Sequence, residues 1–161
     1  MEDGVAFLVG RETDDHLRLT VLKRFAQSAD QWFDYGSLLC RIEVKARGMR
    51  ADFEGTFRAE GFENLRYDLA QLDQAFRSGI VRFEPGYEKA LTFDITVGEV
   101  GSIGISGVAI DGSVPSQELK FEFGVEDSLR AILASTGNLA RAYPPSPSTQ
   151  LPVRPRRTVS P

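Results

Sequence analysis

A cluster of aromatic and acidic residues between positions 30 and 35 is the part of this sequence best suited to chemistry. Its members are Asp30, Trp32, Phe33, Asp34 and Tyr35. Trp and Tyr rings beside carboxylates are suited to hold an Arg or Lys side chain of a partner, through the ring face and through ion pairing. Large aromatic residues also cover the ends of sheets, so the sequence leaves both roles open for Trp32 and Phe33.

Two carboxylates of a nearby segment extend this cluster. Asp52 and Glu54 alternate with apolar residues and are interleaved with Arg50 and Arg58, so a solvated face of mixed charge also explains them. We expect the partner-binding face to contain Asp30, Trp32, Asp34, Tyr35, Asp52 and Glu54.

The other reactive residue types predict no catalytic, metal or cofactor site. His16 is the single histidine and Cys40 the single cysteine, so the usual ligand set of a zinc site is missing. No Gly-x-Ser-x-Gly motif presents a nucleophilic serine. Gly101, Gly104 and Gly107 lack the spacing and the following helix of a phosphate loop, and glycines within strands mark bulges or close backbone approach. We therefore expect a protein that is not an enzyme and carries no cofactor.

A hairpin and a helix are predicted to position Asp52 and Glu54. Every second residue is apolar over 40–46 and over most of 49–59, which is the period of a strand with one buried and one wet face. Arg47 and Gly48 lie at the turn between the two strands. An apolar stripe at steps of three and four then predicts a helix that Ser78 and Gly79 end. Its members are Phe62, Leu65, Leu69, Leu72 and Phe76.

Strands are also predicted on both sides of this segment, at 5–9, 16–25, 80–84, 91–97, 102–110 and 118–125. Because the links between strands are too short for parallel crossovers, we expect a mainly antiparallel sheet. A second helix begins near Asp127 or Ser128, either of which is suited to cap it. The sequence therefore predicts an α+β fold with a curved meander sheet of about eight strands, one helix packed across it and a second, C-terminal helix.

The charge of the chain is divided unevenly. The 161 residues carry a formal net charge of −4, with 19 basic and 23 acidic side chains. Four arginines and six of the eight prolines lie in residues 141–161, which contain no acidic residue. We predict a single α+β domain over residues 1–140 and a disordered Pro/Arg-rich tail over 141–161. An acidic domain disfavours direct binding of nucleic acid and suits a basic protein partner.

The sequence also predicts where the protein works. The N-terminal apolar run of about five residues is too short for the h-region of a signal peptide, and no stretch approaches the length of a membrane span. A single cysteine cannot form an intramolecular disulfide. We expect a cytoplasmic protein with no membrane contact, and the oligomeric state is left open.

Several segments, taken in order, carry a family resemblance. They are DQWFDYG, CRIEVKARG, MRADFEGTFRAEG, LAQLDQAF, KALTFDITVGEVGSIGISG and ELKFEFGVEDSLRAIL. In this pattern the chain from Trp32 to Leu139 resembles the WapI-type immunity proteins and related small bacterial proteins.

The resemblance implies a non-enzymatic protein used in competition between bacteria, which binds and blocks a toxin domain secreted against neighbouring cells. In that family type the toxin is often a nuclease acting on RNA, and an acidic blocker suits its basic active site. Two alternatives remain open from the residues themselves. One is a small-ligand-binding domain or enzyme with a pocket between helix and sheet, and the other is an interaction module that uses the proline-rich tail.

Overall fold

The computed structural model describes residues 4–25, 37–75, 78–84, 89–113 and 115–145. These residues form eight strands and two helices. In chain order they are β1 (Ala6–Gly10), β2 (His16–Arg24), β3 (Ser37–Ala46), β4 (Met49–Arg58), α1 (Ala59–Ala75), β5 (Gly79–Phe83), β6 (Leu91–Val97), β7 (Ile103–Asp111), β8 (Gln117–Val125) and α2 (Leu129–Ala142).

The strands form two four-stranded sheets, with strand orders β1-β2-β3-β4 and β5-β6-β7-β8. Every neighbouring pair is antiparallel. The predicted α+β class, the eight antiparallel strands and the two helices are confirmed. The meander is divided in two because α1 lies between β4 and β5 in the chain, so these two strands are not neighbours in a sheet.

The chain thus consists of two units with the same order of elements, four strands followed by a helix. The helices are exchanged between the units. Helix α1 packs against β5, the first strand of the second unit, and α2 packs against β1, the first strand of the first unit. The helices also pack against each other. This exchange locks the two sheets and both helices around one apolar core.

Phenylalanine rings connect the elements within that core. The ring of Phe83 in β5 lies 4.9 Å from the ring of Phe93 in β6 and 5.3 Å from that of Phe62 in α1. It also lies 5.8 Å from the ring of Phe57 in β4. Phe7 of β1 stacks on Phe93 at 5.9 Å. Phe83 therefore joins both sheets and the first helix.

The local predictions for the hairpin are confirmed. Cys40 and the alternate residues after it in β3 are buried. Arg47 and Gly48 adopt φ values of 51° and 83° between the paired residues Ala46 and Met49. Positive φ at both positions is the geometry of a two-residue hairpin turn. The prediction that Gly79 ends the first helix is wrong, since Gly79 is the first residue of β5 and pairs with Val97.

Side chains from the α2 region cover the outer edge of β1. The backbone N–H of Leu8 donates to Ser135 Oγ at 3.0 Å, and that of Gly10 donates to Asp127 Oδ2 at 2.9 Å. The N-cap of α2 is Ser128. Of the two caps that the sequence allowed, Ser128 therefore caps the helix and Asp127 caps the edge strand.

We expect Asp127→Ala to lower the free energy of unfolding by about 1–2 kcal/mol, because it removes a hydrogen bond to a charged acceptor and leaves the Gly10 N–H without it. Urea denaturation followed by circular dichroism measures the change. Glu126→Ala is the matched control. Its carboxylate is 84% exposed and pairs with Arg11 on the surface, so a loss below about 0.5 kcal/mol is expected. Equal losses for the two variants contradict the edge-capping role.

The fold continues into the segment predicted as a tail. Helix α2 ends at Ala142, its C-cap Tyr143 packs against the core, and Arg24 Nη2 donates to the Pro144 carbonyl oxygen at 2.6 Å. The first residues of the predicted tail, 141–145, therefore belong to the described fold, and residues 146–161 lie outside the described residues. Within the described residues, neither helix is long and apolar enough to cross a membrane.

Candidate partner-binding surface

The predicted binding residues fall into two groups. Four of them lie outside the described residues, namely Asp30, Trp32, Asp34 and Tyr35. The segment 26–36 that contains them is attached at one end of the first sheet, where the Phe25 N–H donates to the Ser37 carbonyl oxygen at 3.0 Å. Ser37 pairs there with Arg58 of β4. The other two predicted residues, Asp52 and Glu54, lie further along β4.

Asp52 and Glu54 are both exposed on the outer face of the first sheet, as the alternation predicts. Arg41 lies directly opposite Glu54 in the register, yet its guanidinium binds Asp52 instead. Arg41 Nε donates to Asp52 Oδ1 at 2.9 Å, and Nη2 donates to Oδ2 at 2.6 Å. These hydrogen bonds from Arg41 lower the pKa of Asp52, and the positive charge of Arg50 adds to the effect.

Ion pairs continue from Asp52 across the neighbouring strands. Arg41 Nη2 also lies 3.5 Å from Glu43 Oε1, and Arg18 lies between Glu43 and Glu12. We call the set Glu12, Arg18, Glu43, Arg41 and Asp52 the charge ladder. The charges of the ladder satisfy one another, whereas Glu54 belongs to none of the ion pairs formed within the described residues.

A row of basic side chains crosses the same face near the hairpin turn. His16, Lys45 and Arg50 lie opposite one another in β2, β3 and β4. They line a shallow concavity of about 220 Å³ together with members of the charge ladder. The His16 Nδ1 atom lies 2.9 Å from the Asp14 carbonyl oxygen. The face therefore carries both signs of charge, as the mixed-charge alternative predicted.

The second sheet has an open trough that sequence reasoning missed. Its volume is about 660 Å³, and small side chains of the central strands line it, including Thr92, Ser106 and Val108. Arg82 of β5 and Lys120 of β8 stand on opposite sides. The signal in the sequence was the run of small residues at alternate positions of β7, flanked by strands with long charged side chains.

A smaller concavity of about 340 Å³ lies where the helices meet the end of the second sheet. Leu72 of α1, Val97 of β6 and Leu129 of α2 line it, and Arg130 lies 3.7 Å from Asp73 at its side. The ligand-binding alternative requires a pocket between helix and sheet, and this is where the described residues provide one. Among these described residues, no three His, Cys, Asp or Glu side chains are placed to hold a metal ion.

Cys40 is fully buried in β3, and burial raises the pKa of its thiol to about 12. Because the thiolate is the reactive form, we expect a disulfide reagent to label native protein at least ~100-fold more slowly than unfolded protein. Release of thionitrobenzoate, with and without denaturant, measures the two rates. Rapid labelling without denaturant contradicts the burial of this thiol, and Cys40→Ser provides the blank.

Comparison with family models, with curated proteins and with solved structures gave no match to this chain. The resemblance to WapI-type immunity proteins therefore stays a prediction from the sequence. The surface chemistry of the described residues is what supports a functional proposal.

Proposed function

We propose that this chain is a cytoplasmic, non-enzymatic immunity protein that binds a basic toxin domain and blocks it. The observation that carries the proposal is that Glu54 is exposed and belongs to no ion pair within the described residues. Its carboxylate is exposed on a regular strand, and the arginine opposite it is committed to another acid. A negative charge left in this way is available to a cation supplied by a partner.

The neighbours of Glu54 strengthen this argument. Arg41 makes two parallel hydrogen bonds with Asp52 and lies 3.5 Å from Glu43. Bidentate Arg–carboxylate pairs have a defined geometry, and in this one the Arg41 guanidinium faces Asp52 and Glu43 and not Glu54. Because β4 is paired along its whole length with β3, the backbone under Glu54 is rigid and little ordering entropy is lost on binding.

The shape of the surface favours a protein over a small ligand. The four strands of the first sheet span about 14 Å, at about 4.8 Å between neighbours. The concavity on this face is about 220 Å³, below the range of about 300–1,000 Å³ that is usual for small-molecule sites. Residues 26–36 are attached at the Arg58 end of β4, four residues from Glu54, or about 13 Å along the strand. An interface of ordinary size extends from Glu54 beyond this end of β4. The sequence that continues the chain there contains Trp and Tyr, the residue types that dominate such interfaces.

The test begins with the DNA upstream of this gene. We expect a secreted protein whose C-terminal domain is basic, and co-expression of this chain with that domain is expected to protect the host cell. Association is expected to slow as salt rises, because charge attraction steers the encounter. Failure to bind or to protect rejects the proposal.

Glu54→Lys tests the face itself. Because it places a cation against the cation of the partner, we expect the dissociation constant to rise about 10–100-fold, as measured by calorimetry. Glu99→Lys makes the same charge change at an exposed position of the β6–β7 turn and is expected to bind as the unmodified chain does. If the Glu54→Lys variant binds with unchanged affinity, the partner does not bind at the face that contains Glu54.

A further inference from the structure

The outer strands of the two sheets differ in what covers their free edges. The edge of β1 is capped by Ser135 and Asp127, and α1 packs against β5. Strand β8 is also an outer strand, with β7 as its neighbour in the sheet. Within the described residues, no side chain donates to or accepts from the backbone of β8. A nine-residue edge that none of the described side chains caps is an available template for another strand.

We propose that two copies of this chain associate through β8, which pairs antiparallel with the β8 of the second copy. In the register that pairs all nine residues from Gln117 to Val125, Phe121 lies at the centre. Lys120 of each copy then faces Glu122 of the other, and Glu118 faces Gly124. Opposite charges directly across an antiparallel pair are stabilising. Neither Lys120 nor Glu122 belongs to an ion pair within the described residues.

The apolar side of β8 fits the same register. Leu119 and Val125 lie on the inner face of this edge strand and are only half-buried, packed against the core. In the paired arrangement Leu119 of one copy lies opposite Phe123 of the other, and Phe121 lies opposite its equivalent. Pairing therefore covers apolar surface that one copy leaves partly open to water.

The registers of β8 next to this one are unfavourable. A shift that centres the pair on Lys120 sets this lysine opposite its equivalent and Glu118 opposite Glu122. A shift that centres it on Glu122 sets that glutamate opposite its equivalent, and like charges directly opposite are destabilising. A shift by one residue brings the polar face of one copy against the apolar face of the other.

Strand β4 provides a contrast, because it also lies at the edge of its sheet. It has ten residues, so full overlap of two copies sets Arg50 opposite Phe57 and Glu54 opposite Phe53. Polar and apolar faces are then mismatched along the whole strand. Over its full length, β8 therefore pairs with matched faces and opposite charges, and β4 does not.

Sedimentation equilibrium of the full chain tests the proposal. We expect a monomer–dimer equilibrium with a micromolar dissociation constant, as for small interfaces. Lys120→Glu and Glu122→Lys, each alone, place like charges opposite each other and are expected to weaken the dimer by about tenfold or more. Lys89→Glu changes a lysine outside β8 and is expected to leave the equilibrium unchanged.

Mixing the two variants gives the deciding result. In a heterodimer of Lys120→Glu with Glu122→Lys, every reversed charge faces an opposite charge, so dimers are expected to return to the affinity of the unmodified chain. The double variant Lys120→Glu/Glu122→Lys is expected to dimerise alone, and circular dichroism shows that each variant is folded. A monomer at every concentration, or a mixture that fails to restore dimers, overturns the proposal.

Discussion

Replacement of Phe83 by alanine is expected to lower the free energy of unfolding by about 3–5 kcal/mol, the range for large aromatic residues deleted from a core. The side chain is 1% exposed and contacts rings from β4, α1 and β6. The cavity left behind thus touches both sheets and a helix, and elements held by exchanged helices have little freedom to collapse into it. Urea denaturation followed by circular dichroism gives the change from the midpoint and slope.

Phe53→Ala is the matched control, since Phe53 in β4 is only half-buried at the margin of the same core. We expect it to cost about a third as much, in proportion to the area it removes from water. Because each helix packs on the other unit's first strand, Phe83→Ala is expected to unfold in a single transition. Two separate transitions in this variant contradict the interlocked core.

Hydrophobic periodicity was sufficient to predict the elements of this fold. Strands such as β3 and β6 have one wet and one buried face, so their alternation is visible without knowledge of any contact. The exchange of helices was not predictable in this way, because the packing of α1 on β5 and of α2 on β1 depends on distant parts of the chain. The role of Gly79 was not predictable for the same reason. A glycine after an apolar stripe suits a helix end, but here the pairing with Val97 places it in a strand.

The candidate surface was likewise predictable only in part. Exposure of Asp52 and Glu54 follows from alternation alone. Alternation does not show which of the two binds Arg41. Glu54 lies directly opposite this arginine and Asp52 lies diagonally, and the choice between them depends on side-chain rotamers in the folded sheet. That choice leaves the Glu54 carboxylate outside the ion pairs of the described residues. Asp127 was predicted as a possible helix cap, and its role on the edge of β1 depends on a contact 117 residues away.

The two glycines of β7, Gly104 and Gly107, have different surroundings. The sequence predicts close backbone approach or a bulge for Gly104 and Gly107 alike. A Cβ atom built at Gly107 would lie 2.3 Å from the Thr92 carbonyl oxygen and 2.8 Å from Phe121 Cζ, whereas at Gly104 the nearest atom would be 3.9 Å away. The prediction of close approach is therefore confirmed at Gly107 only.

We expect Gly107→Ala to lower the free energy of unfolding by about 2–3 kcal/mol, because overpacking at a backbone atom forces strands apart. The oxygen of Thr92 belongs to the adjacent strand, where Thr92 pairs with Val108, so it cannot move without disturbing that pairing. Urea denaturation measures the loss.

Gly104→Ala separates this effect from the general preference of strands for residues other than glycine. It lies three residues away in the same strand, has room for the methyl group, and is expected to change stability by less than about 1 kcal/mol, in the stabilising direction. A comparable loss for both variants would show that the strand as a whole, and not the contact at Gly107, requires glycine. A loss confined to Gly107→Ala places the requirement at the close approach of Gly107 to Thr92 and Phe121.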